Sequence, residues 1–336
     1  MEPARLVGGN VGVLFTTSAR WRKGRSKPFN DSKLNNSYAL LAKKGKQHGI
    51  NIILAHYREF SNSILKKAWI YDLGWKKIPN IEIDFVYSRF NRAVFSDHKK
   101  YMRAEAVKYR ILENDIGMIN HPDLEEFCWD KSMVHELFPE FTPRTFLVNS
   151  RRGLNVVLPA IKSEKVVIKP RYGTLGGKVL IIDKKNIPKE ISKNTIVQEF
   201  IDTSNGIKGL VKSYHDLRVV IINGKIDHAH IRVPKKGLLT ANMAKGGKKI
   251  FISNGQIPKK VRKIARKVDR LLRRYKPRVY SIDFLFDEKQ NPHIVECNSS
   301  PVIQRYAFGK YRMPEFYDRL LAAIKSGIKV RVAVKY

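Results

Sequence analysis

YSIDFLFDEKQNPHIVECNSSP, residues 280–301, decides how the rest of the chain is read. Two apolar runs flank a polar turn, which predicts a hairpin of strands 279–286 and 292–297. Side chains alternate between faces along a strand. Ser281, Asp283 and Leu285 therefore share one face, and Ile294, Glu296 and Asn298 share another. A turn centred on Lys289-Gln290 sets Asp283 opposite Glu296 and Ser281 opposite Asn298. Like charges directly opposed destabilise a sheet, so a cation is expected between the two carboxylates. Oxygen donors from Asp, Glu and Asn specify a hard ion, and magnesium carrying nucleotide phosphates fits. Cys297 points the other way and reads as core.

The stretch VVIKPRYGTLGGKVLII, 166–182, adds the second half of the argument. One β-branched run delivers Lys169 to a loop holding Gly173, Gly176 and Gly177, and another β-branched run follows. Glycines let backbone N–H groups approach an anion closely. No helix follows the loop and G-x-x-x-x-G-K-[ST] is absent, so 171–178 reads as a flap between antiparallel strands. Lys169 is well placed as the fixed cation such a phosphate lid needs, although an ordinary glycine-rich hairpin with an exposed lysine is the plainer reading of this stretch alone. Neither does the first strand, 11–15, lead into G-x-G-x-x-G, which argues against a dinucleotide site.

The remaining pattern is α/β. Strands are expected at 11–15, 51–57 and 81–90, with a helix within 37–49 between the first two. One helix is expected over 123–138, and strands at 165–169, 178–183 and 195–201. LRVVIINGKIDHAHIRV, 217–233, predicts a hairpin around Asn223-Gly224. Residues 259–276 predict a helix seated on Val261, Ile264, Ala265, Val268, Leu271, Leu272 and Tyr275. His228 and His230 read as surface or substrate-side histidines, and Trp129 as core. Arg218, between Leu217 and Val219, also reads as an ordinary exposed strand residue.

The chain has 336 residues, with 65 Lys and Arg against 30 Asp and Glu, a net charge of +35. Such a field attracts polyanions; solvated lysines from a biased composition are the plainer explanation. No apolar run is long enough to span a membrane. The N-terminus lacks the features of a signal peptide, and two distant cysteines suggest no disulfide framework, so a reducing cytoplasm is expected.

Five blocks occur in a familiar order: WDK at 129–131, VVIKPRYGTLGGK at 166–178, IVQEFI at 196–201, HDLRVVIINGKI through NMAKGG at 215–247, and SIDFLF…IVECNSSP at 281–301. Over roughly 110–305 the chain resembles ATP-grasp carboxylate–amine ligases, nearest the RimK-like and YheC/YheD groups. The resemblance implies an ATP-grasp fold of α/β (α+β) class behind a pre-ATP-grasp domain at 1–115. A central and lid part at 116–205 and a C-terminal part at 206–336 would follow. It implies ATP and magnesium, with manganese an alternative ion. Lys131 and Lys169 would bind nucleotide, with Lys169 on the α/β-phosphates. Gln198, Glu199, Phe200 and Ile201 would form the adenine-reading hinge. Asp216 would lie by the ribose and Asn242 near the phosphates. Arg218 and Arg232 would stabilise transferred phosphoryl charge, and Asp283, Glu296 and Asn298 would bind the metal. The implied reaction joins a carboxylate to an amine through an acylphosphate. The basic surface favours an acidic peptide or protein substrate. The alternative is a nucleic-acid or polyanion-binding protein on an inactive ligase scaffold. No general base stands out.

Overall fold

In a computed structural model the chain is described at residues 2–17, 19–20, 24–95, 98–173, 179–240, 246–301 and 305–328. Two units divide it. Unit one holds Met1–Pro122, Tyr275–Val279 and Ser300–Tyr336; unit two holds Asp123–Arg274 and Tyr280–Ser299.

Unit one is built on the buried run of β1 (Gly9–Phe15). A strand apolar on both faces belongs in the middle of a parallel sheet. β1 indeed lies between β2 (Ile50–His56) and β6 (Phe85–Arg89), parallel to both. β3 (Phe60–Ser61), β4 (Ile64–Tyr71), β5 (Trp75–Glu82) and β7 (Gly117–Ile119) complete a sheet of order β3-β4-β2-β1-β6-β7, with β5 on β4. Helix α1 (Ser32–Gln47) starts where the Asp31 side chain accepts from the N–H groups of Lys33 and Leu34. Its Gly45 is required by close approach, since a Cβ there would lie 2.7 Å from the Ile50 carbonyl oxygen. Helix α2 (His98–Glu113) and a C-terminal helix, Arg305–Gly327, also belong to this unit. Leu14, Ile53, Leu65, Ile81, Val86 and Ile111 are among its core residues.

Two expectations for this unit change. The single strand expected at 81–90 is two, β5 and β6. They part at Ile83-Asp84, where Asp84 turns to bond the Asn10 backbone: its N–H donates to the Asn10 carbonyl at 2.7 Å and its Oδ2 accepts the Asn10 N–H at 2.8 Å. The β4–β5 ladder was not expected. β5 is half-exposed, with Pro79 and two lysines, and carries little strand signal.

In unit two the expected helix 123–138 is two helices, α3 (Pro122–Trp129) and α4 (Lys131–Leu137). Asp130 divides them. Its carboxylate caps α4 by accepting from the Ser132 N–H at 2.9 Å, and it also takes the Arg171 guanidinium. Four antiparallel strands form the first sheet: β8 (Thr145–Val148), β9 (Lys165–Pro170), β10 (Leu180–Asp183) and β11 (Thr195–Glu199), in the order β10-β9-β11-β8. Helix α5 (Arg151–Val157) contributes Leu154 to the core beneath them.

The second sheet has the order β14-β13-β12-β15-β16. Its strands are β12 (Asp216–Ile222), β13 (Lys225–Val233), β14 (Lys248–Ile252), β15 (Val279–Phe286) and β16 (Pro292–Asn298). The β12–β13 turn is Asn223-Gly224, both at positive φ, as a type I′ turn demands. Helix α6 (Lys259–Leu272) buries Val261, Ile264, Ala265, Val268 and Leu272. It stops before Tyr275, which stacks instead on His121, and Leu271 is exposed.

Candidate active site

The β15–β16 register places Asp283 opposite Glu296 and Ser281 opposite Asn298, as expected. The route to that register differs. Nearer the turn Phe284 faces Ile294, so Val295 is an extra residue between the two pairings. The bulge puts Ile294 in the core at 0% exposure rather than on the face of Glu296. It also takes the Val295 carbonyl out of the regular ladder, and Lys169 Nζ reaches that oxygen at 3.4 Å.

Lys169 is buried at the end of β9, and its Nζ donates to Gln198 Oε1 at 2.9 Å. Gln198 in turn donates through Nε2 to Thr145 Oγ1 at 2.8 Å and lies 3.2 Å from His135 Nε2. Burial and the neighbouring Lys169 charge push His135 down to about 3, so this imidazole is neutral. Burial lowers Lys169 itself to about 8, against the pull of Glu296. Lys131 opens α4, and its Nζ donates to the Gly173 carbonyl at 2.5 Å. Burial lowers its pKa as well.

Across the second sheet the cross-strand pairs are Asp216 with Arg232, Arg218 with His230, and Arg232 with Lys249. Arg218 is not an exposed strand residue. It grips Asp283 with Nε on Oδ1 and Nη2 on Oδ2, both at 2.6 Å, and Nη2 lies 3.7 Å from Glu296. Arg232 joins Asp283 Oδ2 at 2.7 Å to Asp216 Oδ1. Burial alone would raise the Asp283 carboxyl, but the two guanidinium groups outweigh it and hold it well below the usual range. Asp216 shares Arg232, and among the described residues no second guanidinium bonds to it; burial pushes it up to about 6. Lys249, which the sequence reading missed, is lowered to about 8 by burial and by Arg218 and Arg232. Its only signal was a place in KKIFI two residues from Phe251, on the same strand face.

The site thus gathers Lys131, Lys169, Arg218, Arg232 and Lys249 around Asp216, Asp283 and Glu296. An excess of buried cation suits a polyphosphate. The opposed carboxylates do not by themselves demand a metal, as expected earlier, because Arg218 and Arg232 already offset Asp283. The donors nevertheless fit one. Glu296 keeps 31% of its side chain exposed, and Asn298 Nδ2 donates to its Oε1 at 3.2 Å. Oδ1 of Asp283 accepts one N–H, leaving a second lone pair. Among the described residues no cluster of three His, Cys, Asp or Glu side chains could hold an ion alone. Magnesium bound with nucleotide phosphates needs only one or two carboxylates.

The other expected residues divide. The Glu199 N–H donates to the Arg144 carbonyl, its Oε1 accepts from the Lys162 N–H, and the Phe200 N–H donates to Ser163 Oγ. Ile201 follows at the end of this run. Gly176, Gly177 and Asn242 lie outside the described residues. His228 and His230 are buried rather than at the surface, stacked at 5.9 Å on the Arg232 face. Cys128 and Cys297 are both buried and free.

A family model for the RimK-like ATP-grasp domain matches residues 138–312, just over half of the chain. The chain belongs to the RimK-like ATP-grasp family. It is similar to a probable alpha-L-glutamate ligase of Legionella pneumophila (strain Corby), 28% identical over 169 residues, 48% of this chain and 51% of that protein. The chain therefore spans about half the length of the curated relatives it matches. Among solved structures it is similar to the ATP-grasp ligase PsnB complexed with minimal precursor, at TM-score 0.61 and 13% identity, over 96% of this chain and 100% of that one. It is also similar to the macrocyclase MdnC bound with precursor peptide MdnA from Microcystis aeruginosa MRC, at TM-score 0.58 and 11% identity, over 94% and 99%. These likenesses show the ATP-grasp fold.

Proposed function

We propose that the chain is an ADP-forming ligase that joins a carboxylate to an amine. One observation carries this reading: the buried Lys169 and the half-buried Lys131 lie within electrostatic reach of Glu296, beside Asp283 under Arg218 and Arg232. Lys169 and Lys131 hold the nucleotide phosphates. Gln198 and the Val295 carbonyl aim the Lys169 ammonium. Asp283, Glu296 and Asn298 are the residues that would hold magnesium, which would offset charge on the phosphoryl group in transfer. The substrate carboxylate attacks the γ-phosphorus, the bond to ADP breaks, and an acylphosphate forms. Arg218 and Arg232 face the charge gathered there. The amine then attacks the acyl carbon, phosphate leaves, and the amine proton passes to solvent. Glu199 to Ile201 and Asp216 remain the proposed adenine and ribose contacts, and Gly173 a phosphate-side contact of the loop.

The acceptor we favour is an acidic peptide or protein. Support comes from the exposed basic face of α6, with Lys263, Arg266, Arg270 and Arg273, and from the peptide complexes of PsnB and MdnC. Polyanion binding on an inactive scaffold is the weaker reading, because no member of the phosphate and metal set is missing. The test is ADP release from ATP with a panel of carboxylates and amines. ADP that appears only when both are supplied supports the ligase. ATP turnover indifferent to both contradicts it.

A further inference from the structure

At the carboxyl ends of the parallel strands in unit one, Phe15 of β1 stands between His56 of β2 and Arg89 of β6. The sheet grows from β1 one way to β2 and β4, and the other way to β6 and β7. The strand order therefore reverses between β1 and β6. In open α/β sheets the ligand crevice lies outside the carboxyl ends of the strands at such a point. The Asn91 N–H donates to Thr16 Oγ1 at 3.2 Å, which ties the two strand ends together.

Arg89 is a charged side chain at this crevice, and among the described residues none of its partners is an acid. Its Nη1 donates to the Tyr87 hydroxyl at 3.2 Å and to the Pro301 carbonyl at 3.3 Å. The Tyr38 phenol is close enough to act on its charge, and the guanidinium lies over the Tyr87 ring at 5.5 Å. Tyr38 and Tyr87 are 1% and 2% exposed, so these walls are dry. Among the described residues no carboxylate pairs with Arg89, whereas Arg171, Arg218 and Arg232 each hold one. A partly desolvated cation matched only by neutral groups keeps an unbalanced charge. His56 does not compete for an anion, because burial lowers it to about 4 and it is neutral at pH 7.

We propose that Arg89 binds the carboxylate of an amino-acid substrate at the β1–β6 crevice, through the forked pairing that a guanidinium makes with two oxygens. The ligase reading enters only in naming the ligand a substrate. The planar fork of one guanidinium matches the two oxygens of a carboxylate, and the phosphate-binding cations proposed above belong to unit two.

The experiment is a set of melting curves of the full chain, Arg89→Met and Arg89→Lys. The probes are the twenty amino acids, glutarate and inorganic phosphate, each with and without magnesium-ADP. At least one amino acid or glutarate stabilises the wild type. Its half-effect concentration rises tenfold or more in Arg89→Met, and less in Arg89→Lys, which keeps the charge without the fork. Both variants keep the wild-type shift with magnesium-ADP, which reports an intact fold. If Arg89→Met does not fold, a several-fold weakening in Arg89→Lys carries the comparison. The proposal is overturned if no carboxylate stabilises the wild type, if the variants respond as the wild type does, or if phosphate matches the carboxylates. Failure of the ligase reading shows separately, as a wild type that gains nothing from magnesium-ADP.

Discussion

Arg218 holds Asp283 by two parallel N–H···O bonds of 2.6 Å, so the carboxylate opposite Glu296 is neutralised within the protein itself. Asp283 and Glu296 are therefore unequal. One is a buried ion-pair hub at 1% side-chain exposure; the other is a half-exposed group at 31%.

Their variants should part accordingly. Glu296→Gln leaves the melting temperature of the unliganded protein nearly unchanged, since exposed pairs contribute ~0–1 kcal/mol. It abolishes most of the stabilisation by magnesium-ATP, which acts by mass action on the native state. Asp283→Asn takes from Arg218 its two carboxylate bonds and leaves Arg232 with Asp216 alone, and it lowers unliganded stability by about 3–5 kcal/mol, the usual cost of breaking a buried pair. Thermal melts of both variants check this; equal loss in the unliganded state contradicts the inequality.

Lys169→Met weakens ADP binding by roughly tenfold or more, as expected for a charge-assisted contact of ~1.5–3 kcal/mol. Calorimetry with ADP measures it, and unchanged affinity removes Lys169 from the phosphate site.

Lys169 also has a pH signature. Its folded pKa of about 8 lies below the unfolded 10.5. Between those values the unfolded chain binds more protons, so this group makes stability rise with pH across the window. ADP affinity falls over the same range as the free protein loses the ammonium. Lys169→Met loses both trends, which a comparison of melts and ADP titrations from pH 7 to 10 reveals.

Reversing Arg266, Arg270 and Arg273 to Glu on α6 raises the KM of an acidic peptide acceptor and leaves the ATP KM alone. The effect shrinks with salt, because exposed charges are screened within about 8–10 Å at physiological ionic strength. Acceptor kinetics untouched at low salt would make the helix a merely solvated face.

The fold was legible where one local signal dominates. Alternation around Asn223-Gly224 and the apolar stripe of α6 each fixed an element. The Asp283–Glu296 pair was legible too, although the reading assumed a regular ladder and Val295 is bulged. What stayed hidden depends on partners distant in sequence. Asp130 breaks the expected helix because it caps Ser132 and binds Arg171, 41 residues on. Gln198 was read for its backbone as part of the hinge, and the contact of its amide with Lys169 on a neighbouring strand was not expected. Arg218 and Arg232 were expected to meet the transferred phosphate, yet nothing in LRVVIINGKIDHAHIRV says that they meet Asp283. That contact is set by strand order, and no spacing encodes it. β4 and β5 were missed because a half-exposed edge ladder carries no clean period.

The central claim is that this site makes an acylphosphate. Hydroxylamine intercepts acylphosphates, giving a hydroxamate and phosphate. Incubation with magnesium-ATP, hydroxylamine and a carboxylate panel should yield hydroxamate equal to the ADP formed for at least one carboxylate, with none from Glu296→Gln. ADP formed without hydroxamate across the panel, or at the same rate with no carboxylate present, would contradict the account.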